Sequence, residues 1–153
     1  MIIERNQVLD VSNLISMRKK LTASQLQEYA AKMTAYIETH GAKRDGGSIT
    51  ATYAVEGDKI DMEVYLPIDR EIPSCDEFVF KPRLYLENCL KIMHKGNPQL
   101  IDVSMKKLND YIEINGLMPI TVGFIRTLKE ATSMKELEFF EADVFISICP
   151  NIV

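Results

Sequence analysis

The chain has little of what would mark a nucleic-acid-binding, secreted or metal-dependent protein. Basic charge is short: 18 Lys and Arg stand against 22 Asp and Glu, a net charge of −4. Phosphate binding needs a basic surface, so no direct nucleic-acid contact is expected. The one basic run, Arg18-Lys19-Lys20, is short, falls where a loop should enter a helix, and reads as solvated. The three cysteines, Cys75, Cys89 and Cys149, form no close pair and no CxxC, which argues against a disulfide framework and a zinc site. The two histidines supply no metal set either. His40 falls at a helix C-terminus, where an imidazolium complements the dipole, and His94 precedes a helix with no ligand partners near it. No cofactor is implied. No apolar run approaches the roughly 18 residues of a membrane span, and no signal-peptide hydrophobic segment opens the chain. The expectation is a cytoplasmic, bacterial-type protein without membrane contact and without room for a helix-turn-helix module beside its main domain.

What is present is a duplication. Tyr36-Ile37-Glu38-Thr39-His40-Gly41 and Tyr111-Ile112-Glu113-Ile114-Asn115-Gly116 repeat the same pattern 75 positions apart. At that offset Leu26, Ala30 and Met33 fall on Ile101, Met105 and Leu108. These positions follow one face of a 3.6-residue helix, so the repeat preserves a buried stripe, with Tyr36 and Tyr111 in it. At 153 residues, 46% hydrophobic and 26% charged, the chain suits one globular domain built from two copies.

Each copy reads as strand, helix, strand, strand. Residues 1–18 alternate with a period near two. Thr22-Ala23-Ser24-Gln25 forms a capping box that opens a helix reaching His40, and Gly41 ends it. Ile49–Glu56 and Lys59–Pro67 form a hairpin around Glu56-Gly57-Asp58. Asp69–Asp76 is a linker. In the second copy a strand over Glu77–Met93 precedes a helix capped by Asn97 with Pro98 in its first turn and ended at Asn115-Gly116. Ile120–Leu128 and Phe139–Cys149 form the second hairpin, connected through Lys129–Glu138. The fold expected is α+β: two βαββ repeats (1–68 and 77–149, linker 69–76) with pseudo-two-fold symmetry, their antiparallel sheet covered by helices on one face.

Strand parity sends Ile60, Met62, Val64 and Leu66, and Phe140, Ala142, Val144, Ile146 and Ile148, toward the helices. The opposite face then carries Asp61, Glu63 and Tyr65, with Glu141, Asp143, Phe145 and Ser147. Partner strands add Thr50 and Thr52, and Gly123, Ile125 and Thr127, while the same parity sends Tyr53 and Phe124 to the core. The acids and aromatics of this face could hold a cation; the plainer reading is a solvated sheet face.

His94-Lys95-Gly96-Asn97-Pro98, leading into a helix that ends Tyr111-Ile112-Glu113-Ile114-Asn115-Gly116-Leu117-Met118-Pro119, and a hairpin closing on Met62-Glu63-Val64-Tyr65-Leu66-Pro67-Ile68 resemble the GyrI-like small-molecule-binding superfamily. That superfamily contains the effector-binding domains of multidrug-responsive transcription activators and stand-alone relatives. The resemblance covers nearly the whole chain. It implies two βαββ modules, a ligand cleft along their seam and an amphipathic, often cationic, ligand. It also places a buried glutamate, followed two residues later by an aromatic, where this chain has Gly123 and Ile125; that departure weakens both the cation reading and a hydrolase reading. The candidate ligand-binding residues are Glu63, Tyr65, Asp143, Phe145, Gly123, Ile125, Thr50 and Thr52. The expected function is non-catalytic binding of a small amphipathic molecule, linked to transcription regulation. The alternatives are a protein-interaction module without a working pocket and a small hydrolase. Partners are the small ligand or another protein, and a homodimer is left open.

Overall fold

The capping box opens the first helix as the sequence predicts. The Thr22 hydroxyl accepts from the Gln25 amide, and the Gln25 side chain accepts from the Thr22 amide at 3.0 Å. The computed structural model describes residues 2–130 and 133–150. It comprises β1 (Ile3–Leu21), α1 (Ala23–Thr39), β2 (Ile49–Glu56), β3 (Lys59–Pro67), β4 (Val79–Lys95), α2 (Ile101–Ile114), β5 (Phe124–Lys129) and β6 (Glu141–Ser147). Single 3₁₀ segments, Pro98–Leu100 and Met134–Phe139, precede α2 and β6. The architecture is α+β with antiparallel strand pairs. The connection expected over Lys129–Glu138 includes Ala131 and Thr132, which lie outside the described residues. Among the described residues no helix is long and apolar enough to cross a membrane.

The chain divides into two compact units. One is Asp10–Leu84; the other takes the N-terminal stretch to Leu9 and the chain from Tyr85 onward, so the long strands β1 and β4 each contribute to both. In the first unit β3 lies between β1 and β2, with Met17 and Thr50 both opposite Val64. The apolar stripe of α1, centred on Met33 and Ile37, packs on Ile15, Met17, Met62, Val64 and Leu66. In the second unit β6 lies between β4 and β5, with Ile92 and Ile125 both opposite Val144. There α2 sets Leu108 and Ile112 against Leu90, Ile92, Val144 and Ile146.

The same backbone hydrogen bonds recur in the two units. The amides of Gly41 and Ala42 donate to Glu38 and Ile37, and those of Gly116 and Leu117 to Glu113 and Ile112. Gly41 and Gly116 have φ of 76° and 62°, the left-handed conformation that ends each helix. His40 Nδ1 donates to the Tyr36 carbonyl, and Asn115 Nδ2 donates to the Tyr111 carbonyl. Asn13 in β1 and Asn88 in β4 share a positive φ, and their carbonyls accept from Ile68 and Ile148 respectively.

Three parts of the sequence reading need correction. Arg18-Lys19-Lys20 is not loop: β1 continues to Leu21, and Arg18 pairs with Glu63 across the ladder. Thr50 and Thr52 stand opposite Val64 and Met62, on the α1 face, so the opposite face takes Ile49 and Ala51. Gly123 and Ile125 likewise turn toward α2. Ile125 packs in the α2 core, and a Cβ on Gly123 would meet Met105 Cε at 2.3 Å. The residues sent to the other side are Phe124 and Arg126, opposite Phe145 and Asp143. The parity assignment failed because it assumed a solvated outer face. That face is buried too at Ile49, Ala51, Tyr65, Phe124 and Phe145, so polarity no longer distinguishes the two sides.

Candidate functional site

Two carboxylates define the faces turned away from the helices, and their surroundings differ. In the first unit Glu63 extends from β3 with its side chain only 13% exposed. Val64 and Met62 go to the core beneath α1, which fixes the parity that turns Glu63 and Tyr65 the other way. Tyr65 is buried, and its hydroxyl donates to Glu63 Oε1. Tyr53 also donates to Oε1, at 3.4 Å. It reaches there because the β2 register slips between Thr52 and Ala54, a bulge that frees Tyr53 from the alternation. Lys81, from the start of β4, binds Glu63 Oε2 at 3.1 Å, and its ammonium lies 5.2 Å from the centre of the Tyr65 ring. Arg18 lies 3.9 Å over the Tyr53 ring and is tied to Asp61 at 3.4 Å. Burial, then the hydrogen bond to Glu63, pushes the Tyr65 hydroxyl far above the usual tyrosine range. Tyr53 is raised as well, by burial and then by the Glu63 charge. Each cation–ring contact contributes about 0.5–1 kcal/mol at an exposed site and up to about 2 kcal/mol when desolvated.

In the second unit Asp143 extends from β6, 8% exposed. Its Oδ1 is buried and has no hydrogen-bond partner among the described residues. Burial raises its proton affinity; Lys91 and Arg126 pull the other way, and Glu4 and Glu141 add to the rise. Lys91 is bound to Glu4 at 3.6 Å, and Glu141 lies between Lys129 at 3.7 Å and Lys95 at 4.0 Å. Arg126 and Met93 are the ladder partners of Asp143, while Phe124 and Lys91 are those of Phe145. Asp143 therefore sits on a face that combines two buried phenylalanines with two basic side chains.

The structure thus keeps Glu63 with Tyr65, and Asp143 with Phe145, each pair on its own unit's non-helix face. It removes Thr50, Thr52, Gly123 and Ile125 from those faces. Sequence reasoning missed Lys81, Lys91 and Arg126, for which no motif or spacing gave a signal. Arg18 was legible had the alternation Ile15, Met17, Lys19 been carried to the end of β1.

The remaining polar contacts have structural explanations. His94 is buried with Nδ1 2.8 Å from the Ser104 hydroxyl and Nε2 3.0 Å from the Asn97 carbonyl. The carbonyl can only accept, so Nε2 donates and Nδ1 accepts from Ser104 in the neutral ring. Both side chains are sealed from solvent, so the pair pins the turn into α2 instead of presenting a nucleophile. A surface hollow of about 470 Å³ lies beside α1, lined by Lys32, Tyr36, Thr39, Cys75 and Phe78 among others. A smaller one of about 150 Å³ lies at Arg5, Asn6, Asn88, Leu117 and Ile148. Neither includes a carboxylate of the two faces. Among the described residues no group of His, Cys, Asp and Glu is placed to hold a metal.

No protein-family model and no curated protein matches the sequence. Solved structures match its fold. EcmrR in its DNA complex aligns with a TM-score of 0.77 and 10% identity over 95% of this chain, which spans 57% of the EcmrR chain. The EcmrR C-terminal domain alone aligns at 0.73 and 11% identity, over 97% of this chain and 98% of that domain. A hydrolase from Listeria innocua aligns at 0.60 and 12% identity, covering 96% and 91% of the two chains. SAV2435 bound to tetraphenylphosphonium aligns at 0.54 and 10% identity, covering 96% and 94%. At 10–12% identity these likenesses are of fold alone.

Proposed function

We propose that this chain, whose fold is that of the GyrI-like superfamily, binds a small amphipathic molecule without transforming it, as a cytoplasmic effector-binding protein linked to transcription regulation. The observation that carries the reading is the orphaned Oδ1 of buried Asp143 beside Phe145 and Phe124. A buried polar atom without a partner costs about 1–3 kcal/mol, a cost that a ligand's hydrogen-bond donor would relieve. The phenylalanines offer the apolar half of an amphiphile its contact. The binding of tetraphenylphosphonium by SAV2435, a protein of similar fold, supports the same class of ligand. Glu63 and Tyr65 form the corresponding polar group of the first unit. The recurring helix-end and Asn13/Asn88 hydrogen bonds support reading the units as two copies of one βαββ module, with pseudo-two-fold symmetry.

The test is a thermal-shift screen of neutral and charged amphiphiles against the wild type and Asp143→Asn. A ligand at about 100 times its Kd stabilises the native state by about 2.7 kcal/mol. The expected result is a ligand-dependent rise in melting temperature that Asp143→Asn abolishes or strongly reduces. An equal rise in both proteins would remove Asp143 from the site, and no rise with any amphiphile would overturn ligand binding. The second reading, a protein-interaction module, is favoured by the exposed apolar side chains Ile114, at the end of α2, and Met118 and Ile120 beyond it. It predicts self-association in sedimentation that Ile114→Lys disrupts.

A further inference from the structure

We infer that Lys81 is a built-in counter-ion that closes the Glu63 face to cationic ligands, so that this face of the first unit admits a neutral or anionic amphiphile in preference to a cation. The inference rests on the ligand-binding reading above and deepens it. A carboxylate flanked by aromatic rings is the arrangement that holds a soft organic cation, because carboxylate charge and ring quadrupole act on the same ligand. Glu63 with Tyr53 and Tyr65 supplies those parts. The protein's own cations already occupy them. The Lys81 ammonium bonds to Glu63 Oε2 at 3.1 Å and lies 5.2 Å from the Tyr65 ring centre; the Arg18 guanidinium stacks 3.9 Å over Tyr53 and is anchored by Asp61.

An incoming cation would have to displace an ammonium that is tethered, and so present at high effective concentration. A neutral or anionic amphiphile meets no such competitor, and the ammonium itself can receive an acceptor group. Lys81, not Arg18, controls the outcome: Arg18 is held by a second acid and does not bond to Glu63, whereas Lys81 does. No reaction step is involved; the claim concerns charge selection by a positioning residue.

The matched ions tetraphenylphosphonium and tetraphenylborate have the same shape and opposite charge, and triphenylphosphine oxide supplies a neutral polar comparison. Calorimetric titration of all three into wild type, Lys81→Met and Lys81→Arg isolates the effect. Methionine keeps the apolar stem without the charge, and arginine restores the charge. Wild type should bind the borate and the neutral oxide more tightly than the phosphonium. Lys81→Met should shift the phosphonium-to-borate affinity ratio by about tenfold or more toward the cation while the oxide changes little. Lys81→Arg should return the wild-type order. A wild type that prefers the phosphonium, or a ratio that Lys81→Met leaves unchanged while the probes still bind, overturns the role of Lys81 alone. Failure of every probe to bind any of the three proteins overturns ligand binding and this inference together.

Discussion

Asp143→Asn should make the protein more stable while weakening its ligand response. The carboxylate is buried in β6, its Oδ1 has no partner among the described residues, and burial raises its proton affinity despite Lys91 and Arg126. An unsatisfied buried polar atom costs about 1–3 kcal/mol. The amide keeps the shape and removes the charge, but it forfeits the attraction of the two cations. The asparagine oxygen stays without a partner, so the gain comes from the removed buried charge alone and is expected at about 1 kcal/mol at neutral pH. For a chain of this size, 1 kcal/mol corresponds to a rise of about 2–4 °C in melting temperature. The pH dependence has a definite sign. With its affinity raised in the folded state, the aspartate binds more protons folded than unfolded. Its stabilising share is thus present in full below the unfolded pKa of about 3.9 and is lost as pH rises through the higher folded value. The advantage of the asparagine variant should accordingly grow from acid to neutral pH and then level off. Thermal melts of both proteins by circular dichroism, near pH 7 and at about pH 4, measure it. A variant that melts lower than wild type at neutral pH would refute the reasoning, because Lys91 and Arg126 would then more than compensate the buried charge.

Four further outcomes follow from the packing and the tyrosine environment. Gly123→Ala should cost no more than about 1 kcal/mol, because the new Cβ meets only the flexible end of Met105, and Met105→Ala should remove that cost in a double-mutant cycle read by denaturant melts. Gly123→Glu should unfold the second unit instead of creating a cation site, since it drives a carboxylate beneath α2; circular dichroism distinguishes the two outcomes. Ile37→Ala and Ile112→Ala each remove a buried side chain from a helix stripe and should each cost about 2–5 kcal/mol in urea unfolding. Tyr65 should stay protonated in an ultraviolet titration up to the alkaline transition. Because its folded affinity is raised, its share of stability is lost only as pH climbs above the unfolded value of about 10, and Tyr65→Phe should remove that alkaline slope.

Where one local rule governed, the residues were enough. The capping box at Thr22, the hairpin at Gly57, the helix ends at Gly41 and Gly116, and the inward faces of β3 and β6 all match the structure. Reading failed in β2 and β5, where the face depends on a partner strand's register. Phe124 and Ile125 are both apolar, so no pattern tells which one faces α2; only the ladder to Phe145 and Val144 decides. In β2 a single bulged residue carries Tyr53 out of the alternation and onto Glu63, and nothing at Tyr53 announces it. Lys81 is separated from Glu63 by the whole 69–76 segment and reaches it only through tertiary placement.

The two carboxylates show why such residues are hard to find and why they matter. Two units can share the same backbone hydrogen bonds while their side chains differ. The backbone hydrogen bonds at Asn13 and Asn88 remain alike, yet Glu63 is satisfied by two tyrosines and a lysine, whereas Asp143 keeps an orphan oxygen. Fold stability explains the first arrangement, since each bond offsets the desolvation of a half-buried acid. It does not explain the second, because an asparagine or an apolar residue at the centre of β6 would fold at lower cost. A group that costs stability and is held by otherwise ordinary packing is where function is to be sought. Asp143 meets that description on its own unit's face, whereas Glu63, with its bonds satisfied, does not.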